Sequence, residues 1–411
     1  MNGATLVGLA PTRARPGALG SIARRGVLER LRGIGAGALQ VRDEAEVFEF
    51  GIPGAELAST ITVHDSSFYA DVALGGSVGA GESFMLGHWQ ASDLTVALRI
   101  MLRNRHAIDA VDGGMARLSA PWRKAAHWLR ANTRAGSRRN IAAHYDLGND
   151  FFSLFLDETM MYSCALFERP GMTLAEASTA KLESVCRKLG IGPEHHVLEI
   201  GTGWGGFAMH AAARHGCRVT TTTISPSQYE LARARVRAAG LEDRVTVLLQ
   251  DYRDLGGTFD RVVSIEMIEA IGHRQYREFF GRCGGLLARD GLMLLQSITI
   301  ADRHYAAARD DVDFIKRYVF PGCCIPSVGA LTAAMVDASD LRLVHLEDIG
   351  AHYAPTLAAW RDNFFGNLDA VRALGYSETF IRLWEFYLCY CEAGFAERTL
   401  GDVQLVLSRE G

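Results

Sequence analysis

Short apolar runs alternate with amphipathic stretches over the second half of the chain. The apolar runs predict strands at 197–200, 218–223, 245–249, 259–265 and 292–297. Helical periodicity separates them, as over 226–239 and 274–287. Strands that alternate with helices predict an α/β fold with a doubly wound parallel sheet. A ligand should then bind at the carboxyl ends of the strands.

The first part of the chain has a different pattern. Residues 1–20 are rich in Gly, Pro, Ala and Arg and are predicted to be disordered. Residues 21–104 predict a small α/β unit, with a strand over 58–64, a glycine-rich loop over 75–81 and an amphipathic helix over 93–104. No catalytic cluster stands out in this unit.

A basic connector over 105–140 joins this unit to a domain over 141–411. It contains Trp122 and Trp128 among several Arg and Lys residues. Tryptophan beside basic residues is typical of a segment that lies on an anionic membrane surface. A solvated linker whose tryptophans pack on the protein is the alternative.

Composition narrows the class of protein. The 411 residues are 48% apolar and 22% charged, which is ordinary for a globular protein and long for one domain. The net charge of -4 argues against a strongly basic nucleic-acid binder. No apolar run approaches the ~20 residues that span a bilayer, and no signal peptide is evident. The eight cysteines show no paired spacing typical of zinc, so no metal site is predicted and a reducing cytosol is expected.

The most specific motif is the glycine-rich turn after the first of these strands. Gly201, Gly203 and Gly205 allow a tight turn and a close approach to a ligand, and a helix follows from Phe207. Glu199 lies inside the strand, where a charge needs a partner. Such a turn alone is weak evidence, because dinucleotide-binding folds also contain it.

The next two strand ends favour S-adenosylmethionine (SAM). A dinucleotide-binding fold would place an acidic residue after the second strand. This chain instead has hydroxyls and an amide over 221–228, and Gln-Asp-Tyr-Arg over 250–253. An acid followed by an aromatic side chain suits the edge and the face of adenine. The order of these motifs predicts a SAM-dependent methyltransferase.

Together the motifs resemble those of the cyclopropane-fatty-acyl-phospholipid synthases and the related mycolic-acid methyltransferases. The resemblance rests on these stretches: 140–149, 151–152, 161–167, 196–206, 223–228, 250–253, 266–272, 350–353 and 387–395. It implies a Rossmann-like class I SAM methyltransferase domain. Residues 63–69 and 75–89 are also similar to the N-terminal lipid-binding domain of the full-length bacterial enzymes.

The resemblance implies transfer of the SAM methyl to a cis double bond of a phospholipid acyl chain. A bound bicarbonate would then remove a proton from the carbocation to close a cyclopropane ring. The bicarbonate site carried over consists of Cys164, Glu269, Gln296, Ile298 and Tyr353. Gln296 stands where better-known members have histidine, and an amide cannot titrate near neutral pH. Cys391 corresponds to a cysteine that has been considered as a nucleophile, although packing explains it better.

The resemblance also supplies the SAM contacts and the partners. The implied SAM residues are Tyr162, Ser163, Val197, Glu199, Gly201, Thr202, Gly203, Trp204, Gly205, Thr223, Ile224, Ser225, Gln228, Asp251, Tyr252 and Arg253. The implied setting is the inner face of the cytoplasmic membrane, where the protein would be peripheral on an anionic surface and could form a homodimer. No nucleic-acid partner is expected.

Three other functions remain open from the sequence. The departure at Gln296 favours a C-methyltransferase that makes methyl-branched, methylene-branched or furan-precursor fatty acids. A small-molecule O- or N-methyltransferase would leave the N-terminal unit unexplained. A lipid-binding protein with an inactive methyltransferase domain would have a broken SAM site, whereas the glycine turn and Gln228 are intact.

Overall fold

The computed structural model describes residues 18–44, 46–106 and 147–410. Of the disorder predicted over 1–20, residues 1–17 lie outside the described residues, whereas residues 18–20 begin a helix, so the prediction is wrong there. Most of the basic connector, including Trp122 and Trp128, and the start of the 140–149 motif also lie outside the described residues. The predictions made for these segments stay predictions.

A four-stranded sheet with three helices forms the N-terminal unit. The strands are β1 (Ala38–Asp43), β2 (Glu46–Gly51), β3 (Ala58–Val63) and β4 (Trp89–Ala91), and the helices are α1 (Ala18–Leu31), α2 (Ser67–Met85) and α3 (Leu94–Arg103). The strand order is β2-β1-β3-β4, and only the β1–β3 pair is parallel. The predicted helix over 93–104 is confirmed: Asp93 caps α3 by accepting a hydrogen bond from the Val96 amide at 2.8 Å.

The glycine-rich stretch over 75–81 was predicted as a loop, and that prediction is wrong. It lies inside α2, where only Gly76 departs from helical geometry, with φ 58° and ψ -138°. A Cβ on Gly79 would lie 2.0 Å from the Asp71 carbonyl oxygen, and one on Gly81 would lie 2.4 Å from the Phe314 ring. These two glycines therefore permit close packing across a kinked helix.

The second sheet has seven strands. They are β5 (His196–Ile200), β6 (Arg218–Thr223), β7 (Val245–Leu249), β8 (Phe259–Ile265), β9 (Leu287–Ile300), β10 (Leu341–Asp348) and β11 (Leu400–Arg409). The order is β10-β11-β9-β8-β5-β6-β7, with β5 to β9 parallel and β11 antiparallel to both of its neighbours. The predicted α/β fold and its five strands are confirmed. β9 is longer than predicted because it pairs with β8 and β11 on its two sides.

Helices cover both faces of this sheet. They are α4 (Asn149–Ser153), α5 (Leu174–Leu189), α6 (Gly206–His215), α7 (Pro226–Ala238), α8 (Ile268–Ile271), α9 (Tyr276–Leu286), α10 (Asp302–Asp310), α11 (Val328–Ala338), α12 (Tyr353–Gly366), α13 (Leu368–Ala373) and α14 (Glu378–Ala396). Leu198 packs with α9 and α11, whereas Val197 packs with α5 and α6, as expected for neighbours on a strand. Within the described ranges, every helix is too short or too polar to cross a bilayer.

The N-terminal unit packs on the C-terminal helix α14. Thr95 of α3 donates to Glu392 at 3.1 Å, and Arg361 reaches the same carboxylate at 2.6 Å. Arg99 and Arg103 both bind Glu397 at 2.7 Å. The two units also share one hydrophobic cluster, so α2 and α3 are anchored beside the second sheet.

Candidate active site

A cleft of about 1100 Å³, including its open mouth, lies at the carboxyl ends of β5, β6 and β8. Its floor is the glycine turn between β5 and α6, where Gly201 has φ 102° and Gly203 has φ 51°. A side chain at Gly201 would be strained in this conformation, and its Cβ would lie 3.3 Å from Met267. The turn therefore keeps the cleft open next to the backbone.

Glu199 is buried within β5 and has a hydrogen-bond partner for its carboxylate, as its position in the strand requires. Its carboxylate accepts a hydrogen bond from Thr221 at 2.6 Å, and Thr221 also contacts Thr202 at 2.7 Å. Burial raises the pKa of Glu199 to about 8, while the Thr221 hydrogen bond opposes that rise. A buried carboxyl that faces a cleft is suited to binding hydroxyl groups, such as those of a ribose.

Most of the predicted SAM residues line this cleft. They are Tyr162, Ser163, Glu199, Gly201, Thr202, Gly203, Trp204, Thr223, Ile224, Gln228, Asp251, Tyr252 and Arg253. Several are held by their own contacts: Thr223 donates to Gln228 at 2.8 Å, and Arg253 pairs with Asp251 at 2.6 Å. The Tyr252 hydroxyl is buried and has no hydrogen-bond partner among the described residues. A polar ligand in the cleft could supply one.

Three of the predicted SAM residues do not line the cleft. Val197 lies in the hydrophobic cluster beneath α5 and α6. Gly205 is the cap of α6, with φ 87°, and Ser225 caps α7 by accepting a hydrogen bond from the Gln228 amide at 3.3 Å. These residues shape the turns that line the cleft. A motif match does not distinguish such residues from those that contact the ligand directly.

The carboxylate of Glu266 meets three residues of the predicted bicarbonate site. It accepts hydrogen bonds from the Cys164 amide at 2.8 Å, the Gln296 side-chain amide at 2.8 Å and the Tyr353 hydroxyl at 2.5 Å. We call these three donors the carboxylate cage. Because they are already engaged by a protein carboxylate, a bicarbonate ion does not fit among them in this arrangement.

Glu266 itself was not predicted as a site residue. It directly follows β8, lines the cleft and has φ 48°, a left-handed conformation that is uncommon for residues other than glycine. Such backbone strain is concentrated at functional sites. Burial raises the pKa of Glu266, while the Tyr353 and Cys164 hydrogen bonds and the Lys181 charge oppose that rise.

Two further buried charged residues adjoin the cage and were also missed. Lys181 of α5 donates to Ser163 at 2.8 Å and is fully buried; burial lowers its pKa, against the attraction of Glu266. Asp402 of β11 accepts from Gln296 at 2.9 Å. Burial and the charges of Glu266 and Glu269 raise the pKa of Asp402 well above its usual value, which favours its neutral form. Their sequence positions gave no signal, because the contacts are long-range.

Glu269 and Ile298 form a second contact beside the cage. One oxygen of Glu269 accepts from the Ile298 amide at 2.6 Å and from the Ser297 hydroxyl at 2.9 Å. Its other oxygen is buried and has no hydrogen-bond partner among the described residues. Burial, followed by the charge of Glu266, raises the pKa of Glu269 to about 8.

The cysteines carry no nucleophile signature. The Cys164 thiol donates to the Ala165 carbonyl at 3.3 Å, so only its backbone amide faces the cage. Cys391 packs against the main hydrophobic cluster on α14, and burial raises the pKa of its thiol. An activated cysteine nucleophile has a lowered pKa instead.

The fold and the cleft define a SAM-dependent C-methyltransferase of the class I α/β type. The chain belongs to the mycolic acid cyclopropane synthetase family, whose model matches residues 132–405. It is 40% identical over 354 residues to tuberculostearic acid methyltransferase UfaA1 of Mycobacterium tuberculosis, covering 82% of this chain and 80% of that protein. It is 36% identical over 359 residues to the cyclopropane-fatty-acyl-phospholipid synthase of Escherichia coli, covering 85% and 87%.

Solved structures agree with this assignment. The mycolic acid cyclopropane synthase CmaA1, complexed with SAH and CTAB, is similar with a TM-score of 0.62 and 32% identity. The similarity covers 66% of this chain and 98% of that one. The predicted family, enzyme class and use of SAM are therefore confirmed.

Proposed function

We propose that this enzyme transfers the SAM methyl group to a cis double bond of a phospholipid acyl chain, with Glu266 as the base. The observation that carries the proposal is the carboxylate cage at the edge of the cleft. SAM supplies an electrophilic methyl, and an alkene has no proton to lose before attack. The protein must therefore position the two groups, exclude water and stabilise the cation that follows.

Glu266 is suited to that cation in two ways. Its negative charge lies in a buried, low-dielectric site, where it attracts a carbocation more strongly than it would in water. Its raised pKa also makes it a better proton acceptor than an exposed glutamate. The three donors hold the carboxylate in one orientation, and Lys181 favours its ionised form before the cation arrives.

The fate of the cation determines the product. Methyl addition to one alkene carbon leaves the positive charge on the other. A hydride shift to that carbon, followed by loss of a proton from the added methyl to Glu266, gives a methylene-branched chain. We favour this product because the 40% identical relative is named a tuberculostearic acid methyltransferase and because Gln296 cannot titrate.

Ring closure to a cyclopropane is the second candidate. It requires loss of the methyl proton before any hydride shift, and it adds the same CH₂ to the chain. The name of the Escherichia coli relative favours it. In that case bicarbonate could still take part, provided that it binds outside the donors that Glu266 now engages.

Two variants of Glu266 test the proposed base. Glu266→Gly removes the carboxylate and suits the left-handed backbone, so it should leave room for a small anion among the three donors. Glu266→Gln fills the same space without a charge. Both should bind SAM and lose at least about 100-fold in turnover, the lower limit for a lost general base.

Added bicarbonate should restore part of the activity of Glu266→Gly and none of that of Glu266→Gln. Calorimetric SAM titration and chromatography of the methylated lipids provide the readouts. Near-normal turnover in Glu266→Gln would remove Glu266 from the mechanism.

A further inference from the structure

A second cluster of ligand-type side chains lies between α5 and α6, in the layer that covers the sheet. We call Glu183, Cys186, His210 and His215 the helix-pair cluster. Glu183 and Cys186 are one turn apart on α5, so their side chains share a face. His210 and His215 lie on α6, with His215 as its last residue.

The side chains of the cluster converge. Ligand atoms of Cys186, His210 and His215 all lie within 4.8 Å of one another. The Nε2 atoms of both histidines lie 3.2 and 3.1 Å from one oxygen of Glu183. A tetrahedral zinc site has Zn–N near 2.0 Å and Zn–S near 2.3 Å, so its ligand atoms lie roughly 3.3–3.6 Å apart. Coordination would bring the ligand atoms of Cys186, His210 and His215 closer together, whereas the Glu183 oxygen already lies at about this spacing from both histidines.

The burial of the cluster also suits a bound ion. Cys186 is fully buried, while the His210 and His215 side chains are 10% and 19% exposed. Glu183 is 46% exposed and leaves a path from solvent. One thiolate, two imidazoles and one carboxylate match the preferences of Zn²⁺ and its borderline relatives. The spacing of the cysteines in the sequence did not indicate this cluster, because its residues come from two helices.

We propose that the helix-pair cluster binds one Zn²⁺-type ion, which clamps α5 to α6. Binding releases the Cys186 thiol proton to solvent and replaces the His–Glu183 hydrogen bonds with metal bonds. The clamp would join two elements that adjoin the cleft: Lys181 of α5 donates to Ser163, which lines the cleft, and α6 directly follows the glycine turn. The ion would therefore have a structural role, because none of the four ligands lines the cleft.

Cobalt titration of untagged, chelator-treated full-length protein tests this site. One equivalent of Co²⁺ should give a thiolate-to-metal absorption band and tetrahedral visible bands, all displaced by Zn²⁺. Cys186→Ala should abolish the thiolate band. His215 lies at the end of a helix, so the His215→Gln variant should fold. Its affinity for Co²⁺ should fall by more than roughly 10- to 100-fold, which is the loss expected when a residue that only hydrogen-bonds to a metal ligand is replaced.

Matched controls are Cys283→Ala, another fully buried helical cysteine, and His345→Gln, an exposed histidine. Both should keep one-equivalent binding and the full thiolate band. The absence of a thiolate band in the unsubstituted protein would overturn the proposal. The proposal would also be overturned if His215→Gln kept the thiolate-to-metal band and bound Co²⁺ with unchanged affinity.

Discussion

Three buried glutamates along the carboxyl edge of the sheet differ in what their oxygens contact. Glu199 accepts from one threonine, and Glu266 accepts from the three cage donors. Glu269 accepts at one oxygen only, and its other oxygen has no partner among the described residues. A buried oxygen without a partner is costly, so the free oxygen of Glu269 marks a place for a proton or a ligand group.

Glu269→Gln should therefore separate binding from turnover. Glu269 does not line the cleft, so the SAM dissociation constant should stay nearly unchanged. Turnover should fall at least about 100-fold, because the variant replaces a buried carboxyl beside the cage with an amide that can neither release nor accept a proton. Calorimetry and product chromatography measure the two effects. The exposed Glu278→Gln is the control, and equal turnover in both variants would exclude a catalytic role for Glu269.

The same carboxyl should affect stability as pH changes. The pKa of Glu269 is about 8 in the folded chain, against an ordinary value of 4.5. Between these values the folded state holds a proton that the unfolded state has released. The contribution of Glu269 to the free energy of unfolding therefore falls as pH rises toward about 8. The free energy of unfolding, measured with urea between about pH 5 and pH 8, should decline less steeply with pH in Glu269→Gln than in the unsubstituted protein. The same dependence on pH in both proteins would contradict the pKa shift.

At the residue scale, the sequence identified more of the cleft than of the surroundings of Glu266, the proposed base. Motif order predicted Gln228 and Asp251, and the family resemblance implied Tyr162; all three line the cleft. It missed Glu266 because its partners come from β9, α12 and the segment before α5, far away in the chain. Its position directly after a buried strand, at the start of the 266–272 motif, was visible beforehand.

At the scale of elements, α2 shows how glycine in a helix can serve packing. Gly81→Ala should destabilise the protein by about 1–3 kcal/mol, since its Cβ would press on the Phe314 and Phe386 rings. Gly75→Ala in the same helix meets no atom within 4 Å and should be neutral or slightly stabilising. Thermal unfolding of both variants tests this contrast. Equal melting temperatures would mean that α2 does not pack as described.

Strand prediction succeeded for the parallel strands of the second sheet and failed for its antiparallel pair. Four of the five parallel strands are largely buried, β7 being the exception, and all five produced recognisable apolar runs. The antiparallel pair β10 and β11 was not predicted. Almost every residue of β10 is exposed at the edge of the sheet, so burial leaves no periodic trace there. Its pairing depends on β11, which only the assembled sheet reveals.

At the scale of the whole molecule, the basic connector is the predicted membrane contact. It lies mostly outside the described residues, so its role remains a prediction. Replacing Arg123, Lys124 and Arg130 with Gln should weaken binding to anionic vesicles, by about 1 kcal/mol per charge. The difference should shrink as salt screens the charges.

The control for the connector variant is a second triple variant that loses three positive charges in the catalytic domain. Arg218, Arg289 and Arg342 are exposed in the catalytic domain, and their replacement with Gln should have a smaller effect. Vesicle sedimentation at low and high salt compares the two triple variants. Equal binding by both would make the connector a simple linker.

Analysis of the lipid product is the most direct test of methyl transfer to an acyl chain with Glu266 as the base. The purified protein would be incubated with methyl-labelled SAM and vesicles of cis-unsaturated phospholipid, with and without bicarbonate. Fatty acids would then be examined by gas chromatography and mass spectrometry. If Glu266 is the base, the product is a labelled chain that is heavier by one CH₂, has a methylene-branch fragmentation pattern and forms equally well without bicarbonate. Intact SAM binding without any labelled fatty acid, or a product that forms only with bicarbonate, would contradict this proposal.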